Sequence, residues 1–264
     1  MALSRTAQGS ERLRALGIMP LTGDLDDPGT LTRLSALGQR ILHLAPPPQE
    51  GWHDARTVAL LRVLMQRGGA ARMVYGSTSG VYGDCGGALV SETRTPRADT
   101  PRARRRHDAE QRLRWFARVS GAPVSILRIP GIYALDREGG TPRERLLKGM
   151  PVLQSADDVY TNHIHADDLA RACDLALWRG RPQRIYNVND DSRLRMGDYF
   201  DLAADLFGLP RPPRVPRSTA EQDLPLMVLS FMRESRLLDN RRVKNELRLR
   251  LQYPSVADGL KAAR

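Results

Sequence analysis

The sequence predicts an α/β fold with a parallel sheet covered by helices. Short apolar runs that break into polar residues recur as far as Asn189. Amphipathic stretches separate these runs, and this alternation indicates right-handed β-α-β units. The run at 73–77 leads into Thr78, Ser79 and Gly80. A strand that ends in this way carries hydroxyl groups to the carboxyl edge of the sheet, where open α/β folds bind ligands.

The elements follow from the same pattern, taken in chain order. We predict strands at 1–6, 18–21, 40–45, 73–77, 124–129 and 184–188. Helices are predicted at 11–16, from Asp26 or Asp27 to about 37, from 58 until Gly68 and Gly69, at about 104–119, 166–177, about 196–207 and about 240–247. Asp26 or Asp27 is a suitable N-cap because Pro28 then falls in the first turn.

The formal net charge is +11, which raises the possibility of nucleic-acid binding. The excess is nearly all arginine, and the only lysines are Lys148, Lys244 and Lys261. The arginines are scattered, with one dense run at 102–106. A solvated helix face explains this run more simply than a nucleic-acid surface, so we expect no nucleic-acid partner. The alternative, a basic protein that binds duplex DNA through this run, predicts strongly salt-dependent binding.

Cysteine usage and hydropathy predict a cytoplasmic location. Cys85 and Cys173 lie far apart and lack metal-ligand spacing, as expected in a reducing compartment. No apolar run reaches the ~18 residues of a membrane span, and the N-terminus lacks the form of a signal peptide. We therefore expect no membrane association and no metal site.

Several motifs together resemble the extended short-chain dehydrogenase/reductase family, the NAD(P)-dependent sugar-nucleotide epimerases and dehydratases. The likeness is closest to atypical bacterial members described only as epimerase-like, and it spans almost the whole chain. The motifs are Gly-Asp-Leu-Asp at 23–26, His-Leu-Ala at 43–45, Ser-Thr-Ser-Gly-Val-Tyr-Gly at 77–83, Glu92, Leu-Arg-Ile-Pro-Gly-Ile-Tyr at 127–133, His-Ile-His-Ala-Asp-Asp-Leu-Ala at 163–170, Tyr-Asn-Val at 186–188 and the closing segment 253–260.

The resemblance implies a Rossmann-like, doubly wound sheet with a small C-terminal α/β lobe. The NAD(P)-binding domain is expected at 1–188, with a loop insertion at about 134–163, and the substrate lobe at 189–264. The implied function is an oxidoreductase that acts on a sugar nucleotide or a related carbonyl or alcohol compound. The partner is then a small-molecule substrate, and a homodimer is expected by analogy.

The resemblance also assigns cofactor-binding residues. Asp24 and Leu25 take the adenine-side contacts, although Asp24 can equally be a turn or capping residue. Arg5 falls where the family selects its cofactor, and an arginine there can pair with a 2′-phosphate. NADP is therefore favoured slightly over NAD. Ala45 falls beside the nicotinamide ribose, where a small side chain allows close approach; it can also be an ordinary residue before a proline turn.

For the catalytic site, Thr78 aligns with the hydroxyl that binds the reacting oxygen of the substrate, and Ser79 is its neighbour. The alternative is a hydroxyl that only ends a strand by bonding local backbone. Tyr82 is expected to be a packing residue. His165 and Asp168 are expected to be structural, at the start of a helix.

Two departures from the family qualify this interpretation. The family pairs a catalytic tyrosine with a lysine four residues later, and the lysine favours the phenolate. Alignment on Glu110 places Arg102 and Arg106 at these positions, and arginine cannot donate the proton because its pKa stays above ~12. Arg106 can still bind a ribose or phosphate. Tyr75, Tyr82 and Tyr133 are the only nearby phenols. The alternative function is therefore a catalytically impaired nucleotide-binding sensor or scaffold.

The second departure concerns the front of the fold. A dinucleotide fold begins with a strand, a glycine-rich turn and a helix that hold the pyrophosphate. Nothing before Arg5 supplies this unit. We expect that the first thirty or so residues of the fold are missing from the sequence. Since the missing strand is central, the sheet should then have two exposed edges.

Overall fold

A computed structural model of the chain describes residues 1–37, 39–66, 72–224, 229 and 232–261. The central sheet has four parallel strands, β3 (Arg40–His43), β4 (Arg72–Thr78), β6 (Val124–Ile129) and β11 (Arg184–Asn187), in the order β11-β6-β4-β3. β4 and β6 pair over six positions, from Met73 with Val124 to Thr78 with Ile129. The α/β fold class with a parallel sheet is confirmed.

The middle strands are almost wholly apolar because both of their faces are covered. β4 carries Met73, Val74 and Tyr75, and all three are fully buried. Near-continuous apolar runs of this kind are typical of parallel strands that helices sandwich. The helix predicted from residue 58 to Gly68 and Gly69 is observed at Ala55–Met65. Gly68 and Gly69 lie outside the described residues.

Helices cover the two faces of the sheet. On one face, α3 (Ala55–Met65) and α4 (Pro101–Ser120) pack on β4 and β6. On the other, α6 (Ala166–Arg179) and α9 (Arg241–Leu247) bury Val74, Leu127 and Tyr186. Further helices among the described residues are α1 (Ala7–Ala15), α2 (Leu34–Leu37), α5 (Arg143–Leu147), α7 (Met196–Phe207), α8 (Arg217–Asp223) and α10 (Val256–Lys261).

The sheet is interrupted next to β3. β1 (Ala2–Ser4) and β2 (Pro20–Thr22) form a separate parallel pair, with no ladder joining them to β3. The pair reaches the rest of the fold through Leu3, which packs with Leu31 against Ala59 and Val63 of α3. Among the described residues, β3 and the β1–β2 pair therefore each present an edge at the interruption.

One predicted helix is broken. The segment after Asp27 forms a 3-10 turn, Pro28–Leu31, and then the short α2. Thr30 explains the break, because its hydroxyl donates to the backbone carbonyls of Asp24 and Asp27. Side chains that bond local backbone in this way compete with helix formation. Gly23 adds a close approach, since a Cβ there would lie 2.9 Å from Leu3 Cδ1.

The segment predicted as a loop insertion is folded. It contains α5, β8 (Val152–Leu153) and β9 (Tyr160–Thr161), and is followed by β10 (His163–His165). β8 pairs with β13 (Arg214–Val215), β9 with β12 (Leu194–Arg195), and β10 with β7 (Gly131–Tyr133). One apolar core joins Leu146 and Val152 of this segment to Phe200 and Val256. β5 (Leu89–Val90) and β14 (Leu237–Leu238) form a further, separate parallel pair. The boundary at 188/189 stays a prediction.

Candidate active site

The predicted catalytic residues lie at the carboxyl end of β4. Thr78 is the last residue of the strand and is half-buried, and Ser79 begins a 3-10 turn, Ser79–Tyr82. α4 passes directly beside this turn, because a Cβ on Gly80 would lie 3.8 Å from the Cβ of Ala103. The end of β3 lies next to it, since β3 pairs with β4. We call the space at the ends of β3 and β4 the crevice.

Thr78 has a local structural role and keeps its hydroxyl hydrogen. Its Oγ1 accepts a hydrogen bond from the backbone N–H of Gly80 at 3.2 Å, which caps the 3-10 turn. Accepting this bond leaves the hydroxyl free to donate to another oxygen. The alternative role as a strand-ending hydroxyl is therefore seen, and it is compatible with donation to a ligand.

Ser77 is committed to a buried network. Its hydroxyl donates to Glu110 Oε1 at 2.6 Å. Glu110 also accepts a two-pronged bond from Arg128, with Nε–Oε1 at 3.0 Å and Nη2–Oε2 at 2.6 Å. Arg128 is 1% exposed and its guanidinium lies 4.6 Å from the centre of the Tyr82 ring. This network joins β4, α4 and β6 beneath the crevice.

Arg106 lies at the crevice, and the hydrogen-bond donors of its Nη1 are all engaged. Its Nη1 donates to the carbonyls of Gly76 at 2.9 Å and Ala45 at 3.2 Å, and contacts the hydroxyl of Tyr75 at 3.1 Å. The side chain is 9% exposed. Nε and Nη2 donate to no atom in the described part of the chain, yet neither is sealed from solvent. The structure thus brings Arg106 and Ala45 together, and their roles in cofactor binding stay predictions.

Arg102 stands one helical turn before Arg106, on the same face of α4. It has no ion-pair or hydrogen-bond partner among the described residues. The side chain is exposed by area, but burial of its guanidinium, followed by repulsion from Arg106 and Arg105, lowers its pKa. Positive charge is therefore concentrated where the family has a phenol.

The three tyrosines considered as substitutes for that phenol are buried. Burial raises the pKa of Tyr75, of Tyr82 and of Tyr133. Tyr82 donates to Asn187 Oδ1 at 2.7 Å and Tyr133 to the carbonyl of Ser255 at 3.2 Å. A phenol with a raised pKa is a poor base at neutral pH. Tyr82 is thus a packing residue, as predicted, and none of the three replaces the missing acid/base.

His43 does not replace it either. Its Nε2 lies 2.9 Å from the hydroxyl of Thr57, which donates to Asp54 at 2.8 Å. Burial lowers the pKa of His43 to about 4, with Asp54 opposing the shift and Arg106 adding to it. The imidazole is neutral at physiological pH and positions α3 against β3.

The predicted adenine-side residues lie at the ends of β1 and β2. Asp24 Oδ1 accepts from the N–H of Asp26 at 2.9 Å, which is the turn role considered as its alternative. Leu25 is partly buried against the core. Arg5 is exposed and has no hydrogen bond or ion pair among the described residues, but its charge adds to that of Arg56 in lowering the pKa of Asp26. These three residues are separated from the crevice by the interruption in the sheet.

Arg56 bridges this interruption, and sequence reasoning missed it. Its Nε and Nη2 bind the carboxylate of Asp26 at 2.7 and 2.6 Å, while Nη1 donates to the carbonyl of Pro46 at 3.0 Å. Arg56 belongs to no sequence motif, because its role depends on how α3 packs between the two sheets. It connects the adenine-side group to the end of β3.

His165 and Asp168 have structural roles. His165 caps α6, accepting at Nδ1 from the N–H of Asp167 at 3.2 Å, and Asp168 accepts from the N–H groups of Gln252 and Tyr253 at 2.8 and 2.9 Å. Across the described ranges, no group of three or more His, Cys, Asp and Glu residues could hold a metal ion. Within the same ranges, no helix is long and apolar enough to cross a membrane.

Comparison with known proteins shows the family and the fold to which the chain is related. Residues 5–189 match the model of the NAD dependent epimerase/dehydratase family. A functionally unknown conserved protein from Silicibacter pomeroyi DSS is 31% identical, with a TM-score of 0.82 over 98% of this chain and 87% of that chain. No curated protein matches the chain.

Two characterised enzymes share the fold at lower identity. A UDP-glucose 4-epimerase from Thermotoga maritima, solved with UDP-glucose, is 20% identical, with a TM-score of 0.77 over 98% of this chain and 87% of that chain. A dTDP-glucose 4,6-dehydratase from Streptomyces venezuelae, solved with NAD, is 23% identical, with a TM-score of 0.75 over 98% and 84%. The family match covers more than half of the sequence, and the chain therefore belongs to the NAD-dependent epimerase/dehydratase family.

Proposed function

We propose that this chain is an NAD(P)-dependent oxidoreductase of the epimerase/dehydratase class that acts on a nucleotide sugar or a related carbonyl or alcohol compound. The observation that supports this most is the crevice. Thr78 keeps a free hydroxyl hydrogen at the end of β4, and Arg106 lies beside Ala45 at the end of β3. Thr78 would hold the reacting oxygen, and Arg106 would hold the ribose side of the cofactor.

The residues fit the two ends of a dinucleotide. Arg5 and Asp24 are available at one end, and the free edge of the Arg106 guanidinium at the other. The described residues contain no strand followed by a glycine-rich turn and helix that would hold a pyrophosphate; Thr6 caps α1 directly after β1. When bound, the nicotinamide supplies hydride transfer. The chain's own residues bind and orient, and no described phenol–lysine pair moves the proton.

Cofactor titration tests the proposal. We expect saturable NADPH binding, followed by nicotinamide fluorescence, and weaker NADH binding. Arg5→Glu should reverse this preference, because it replaces a partner of the 2′-phosphate by an acid that repels it. Arg12→Glu, on the exposed side of α1, is the matched control. If neither cofactor binds, the proposal is wrong.

A second candidate is a nucleotide-binding sensor or scaffold without turnover. The two arginines at the phenol and lysine positions favour it, because neither can transfer the proton. The double variant Arg102→Tyr with Arg106→Lys restores both groups. Turnover of UDP-glucose that appears in the double variant, and is absent from the unaltered protein, would support the sensor. Turnover by the unaltered protein that Thr78→Ala abolishes would support the enzyme. The homodimer and the cytoplasmic location stay predictions.

A further inference from the structure

The predicted adenine-side turn (residues 24–27) and the end of β3 are each held by their own hydrogen bonds. In the turn, Asp24 Oδ1 accepts from the N–H of Asp26 at 2.9 Å. At the end of β3, the carbonyl of Ala45 accepts from Arg106 Nη1 at 3.2 Å. Neither of these bonds joins the turn to the strand. Each of the two groups therefore keeps its local shape without help from the other.

Arg56 joins the two groups. Its Nε and Nη2 donate to the two oxygens of the Asp26 carboxylate at 2.7 and 2.6 Å, and its Nη1 donates to the carbonyl of Pro46 at 3.0 Å. In the part of the chain that the structure describes, the bonds to Asp26 are the only side-chain hydrogen bonds between residues before 38 and residues after 39. Apolar contacts, such as that of Leu3 with α3, also join these parts, but they are non-directional. A two-pronged pair of planar groups fixes a direction.

The backbone of Arg56 is fixed relative to β3. Arg56 lies in the first turn of α3, whose N-cap, Asp54, accepts from the N–H and the hydroxyl of Thr57 at 3.0 and 2.8 Å. The same hydroxyl lies 2.9 Å from Nε2 of His43, the last residue of β3. Asp54 and Thr57 are both fully buried. The guanidinium is therefore carried by a helix turn that β3 already holds, and it reaches from there to the turn that carries Asp24.

We propose that Arg56 is a positioning residue, which holds the adenine-side turn in place relative to the end of β3 so that one dinucleotide contacts both. This inference rests on the proposed function, to which it adds a residue that acts through Asp26 instead of touching the cofactor. When one half of a dinucleotide is bound, the other half reaches its site at a high effective concentration. That advantage depends on a fixed separation between the two sites. Loss of the link therefore weakens binding of the intact cofactor and spares binding of either half.

The intact cofactor and its two halves separate positioning from contact. The full chain is titrated by calorimetry with NADPH, with 2′,5′-ADP as the adenine half and with reduced nicotinamide mononucleotide as the other half. If NADH binds more tightly, NADH and 5′-AMP replace NADPH and 2′,5′-ADP. Arg56→Gln should lower the affinity for NADPH by about 5- to 150-fold, the usual range of coupling between two sites, and leave the affinities for both halves unchanged. Arg56→Lys should retain part of the NADPH affinity, because the charge stays and the two-pronged geometry is lost.

Arg62→Gln is the matched control, since Arg62 is an exposed arginine on α3 with no hydrogen bond or ion pair among the described residues. It should leave all three affinities unchanged. Asp26→Ala removes the other end of the link and should lower the NADPH affinity as Arg56→Gln does. Because both substitutions break one link, the double variant should bind NADPH no more weakly than either single variant. Additive losses would overturn the inference, since the two residues would then act separately.

The remaining outcomes distinguish the inference from the proposed function. An unchanged NADPH affinity in Arg56→Gln would overturn the inference and leave the proposed function standing. An equal loss of NADPH and 2′,5′-ADP would also overturn it, because Arg56 would then act at the adenine half alone. If the unaltered protein binds neither NADPH nor NADH, the proposed function is wrong and the inference falls with it. Thermal unfolding of each variant checks the fold, and Asp26→Ala, at an exposed position, keeps the test decisive if Arg56→Gln is unstable.

Discussion

Glu110 connects α4 to the two middle strands of the central sheet. It receives Arg128 from β6 and Ser77 from β4, and it is 1% exposed. An ion pair in such a place adds little net stability, because both charges lose their hydration. Removal of one partner is costly, since the other charge then stays buried without a counterpart.

We therefore expect Glu110→Gln to lower the free energy of unfolding by about 3–5 kcal/mol. Urea denaturation measures the change. Glu138→Gln removes an exposed carboxylate with no partner among the described residues and should have little effect. A change in Glu110→Gln as small as in this control would mean that the network is dispensable.

Asp190 is a second buried acid, without a cation. It is 1% exposed, its Oδ1 accepts from the N–H of Ser192 at 2.9 Å, and its Oδ2 has no partner among the described residues. Burial is the main cause that raises its pKa from 3.8 to about 7, with Asp191 and Asp168 adding to it. Between pH 3.8 and about 7, Asp190 therefore stays protonated in the folded state and is ionised in the unfolded state.

The consequence for stability has a definite sign. As the pH rises from about 4 to about 7, the unfolded state binds fewer protons than the folded state, so the contribution of Asp190 to stability falls. Asp190→Asn lacks this dependence. Its free energy of unfolding should rise relative to the unaltered protein across this window, as measured by denaturation at several pH values. Asp136→Asn controls for the loss of an exposed carboxylate. A difference that stays constant with pH would contradict the assignment.

At the scale of elements, α4 carries an unusual charge distribution. Thr100 caps it by accepting from the N–H of Ala103 at 3.2 Å, and Pro101 starts the first turn, which has no acid. Arginines in the first turns face the positive end of the helix dipole, which is unfavourable. The cap therefore matters more here than in a helix with an acidic first turn.

We expect Thr100→Ala to lower the free energy of unfolding by about 1 kcal/mol, within a range of about 0.5–2 kcal/mol for lost caps. Thermal or urea denaturation measures it. Ser218→Ala, at an exposed position of α8 without a side-chain hydrogen bond in the described chain, should be close to neutral. An equal effect of the two substitutions would show that the cap contributes nothing specific.

Elements were predictable where one local pattern decides them. β6 and α7 agree with the predicted residues, because an apolar run and a helical period are unambiguous there. The helix after Asp27 was wrong because Thr30 bonds backward to two carbonyls, a choice that depends on how the turn closes. The folded segment at 134–163 was missed since its strands are two residues long and pair with distant partners.

The end of β4 was predictable from the sequence, and the contacts beneath it were not. The motif at 77–83 located the end of β4, and alignment on Glu110 located Arg102 and Arg106. That Glu110 binds Ser77 and Arg128, and that Arg56 bridges Asp26 to Pro46, could not be predicted. Such contacts depend on helices packing across strands, which no local spacing in the sequence encodes.

At the scale of the whole molecule, the interruption beside β3 divides the fold into parts of unequal cooperativity. β1 and β2 are three residues each and are joined to the rest through apolar contacts with α3 and through Arg56. β4 and β6 share six paired positions beneath helices on both faces. Opening the first pair therefore breaks far fewer contacts than opening the second.

Residues 2–22 should accordingly behave as a separate unfolding unit of low free energy. In native-state hydrogen exchange, the amides of β1 and β2 are expected to exchange through a local opening, while those of β4 and β6 exchange only on global unfolding. Equal protection of the two pairs would show that α3 alone couples them fully. A ligand that contacts both the β1–β2 pair and the end of β4 should slow exchange selectively in β1 and β2. The exchange rate of those amides would then report whether a ligand occupies the distant crevice.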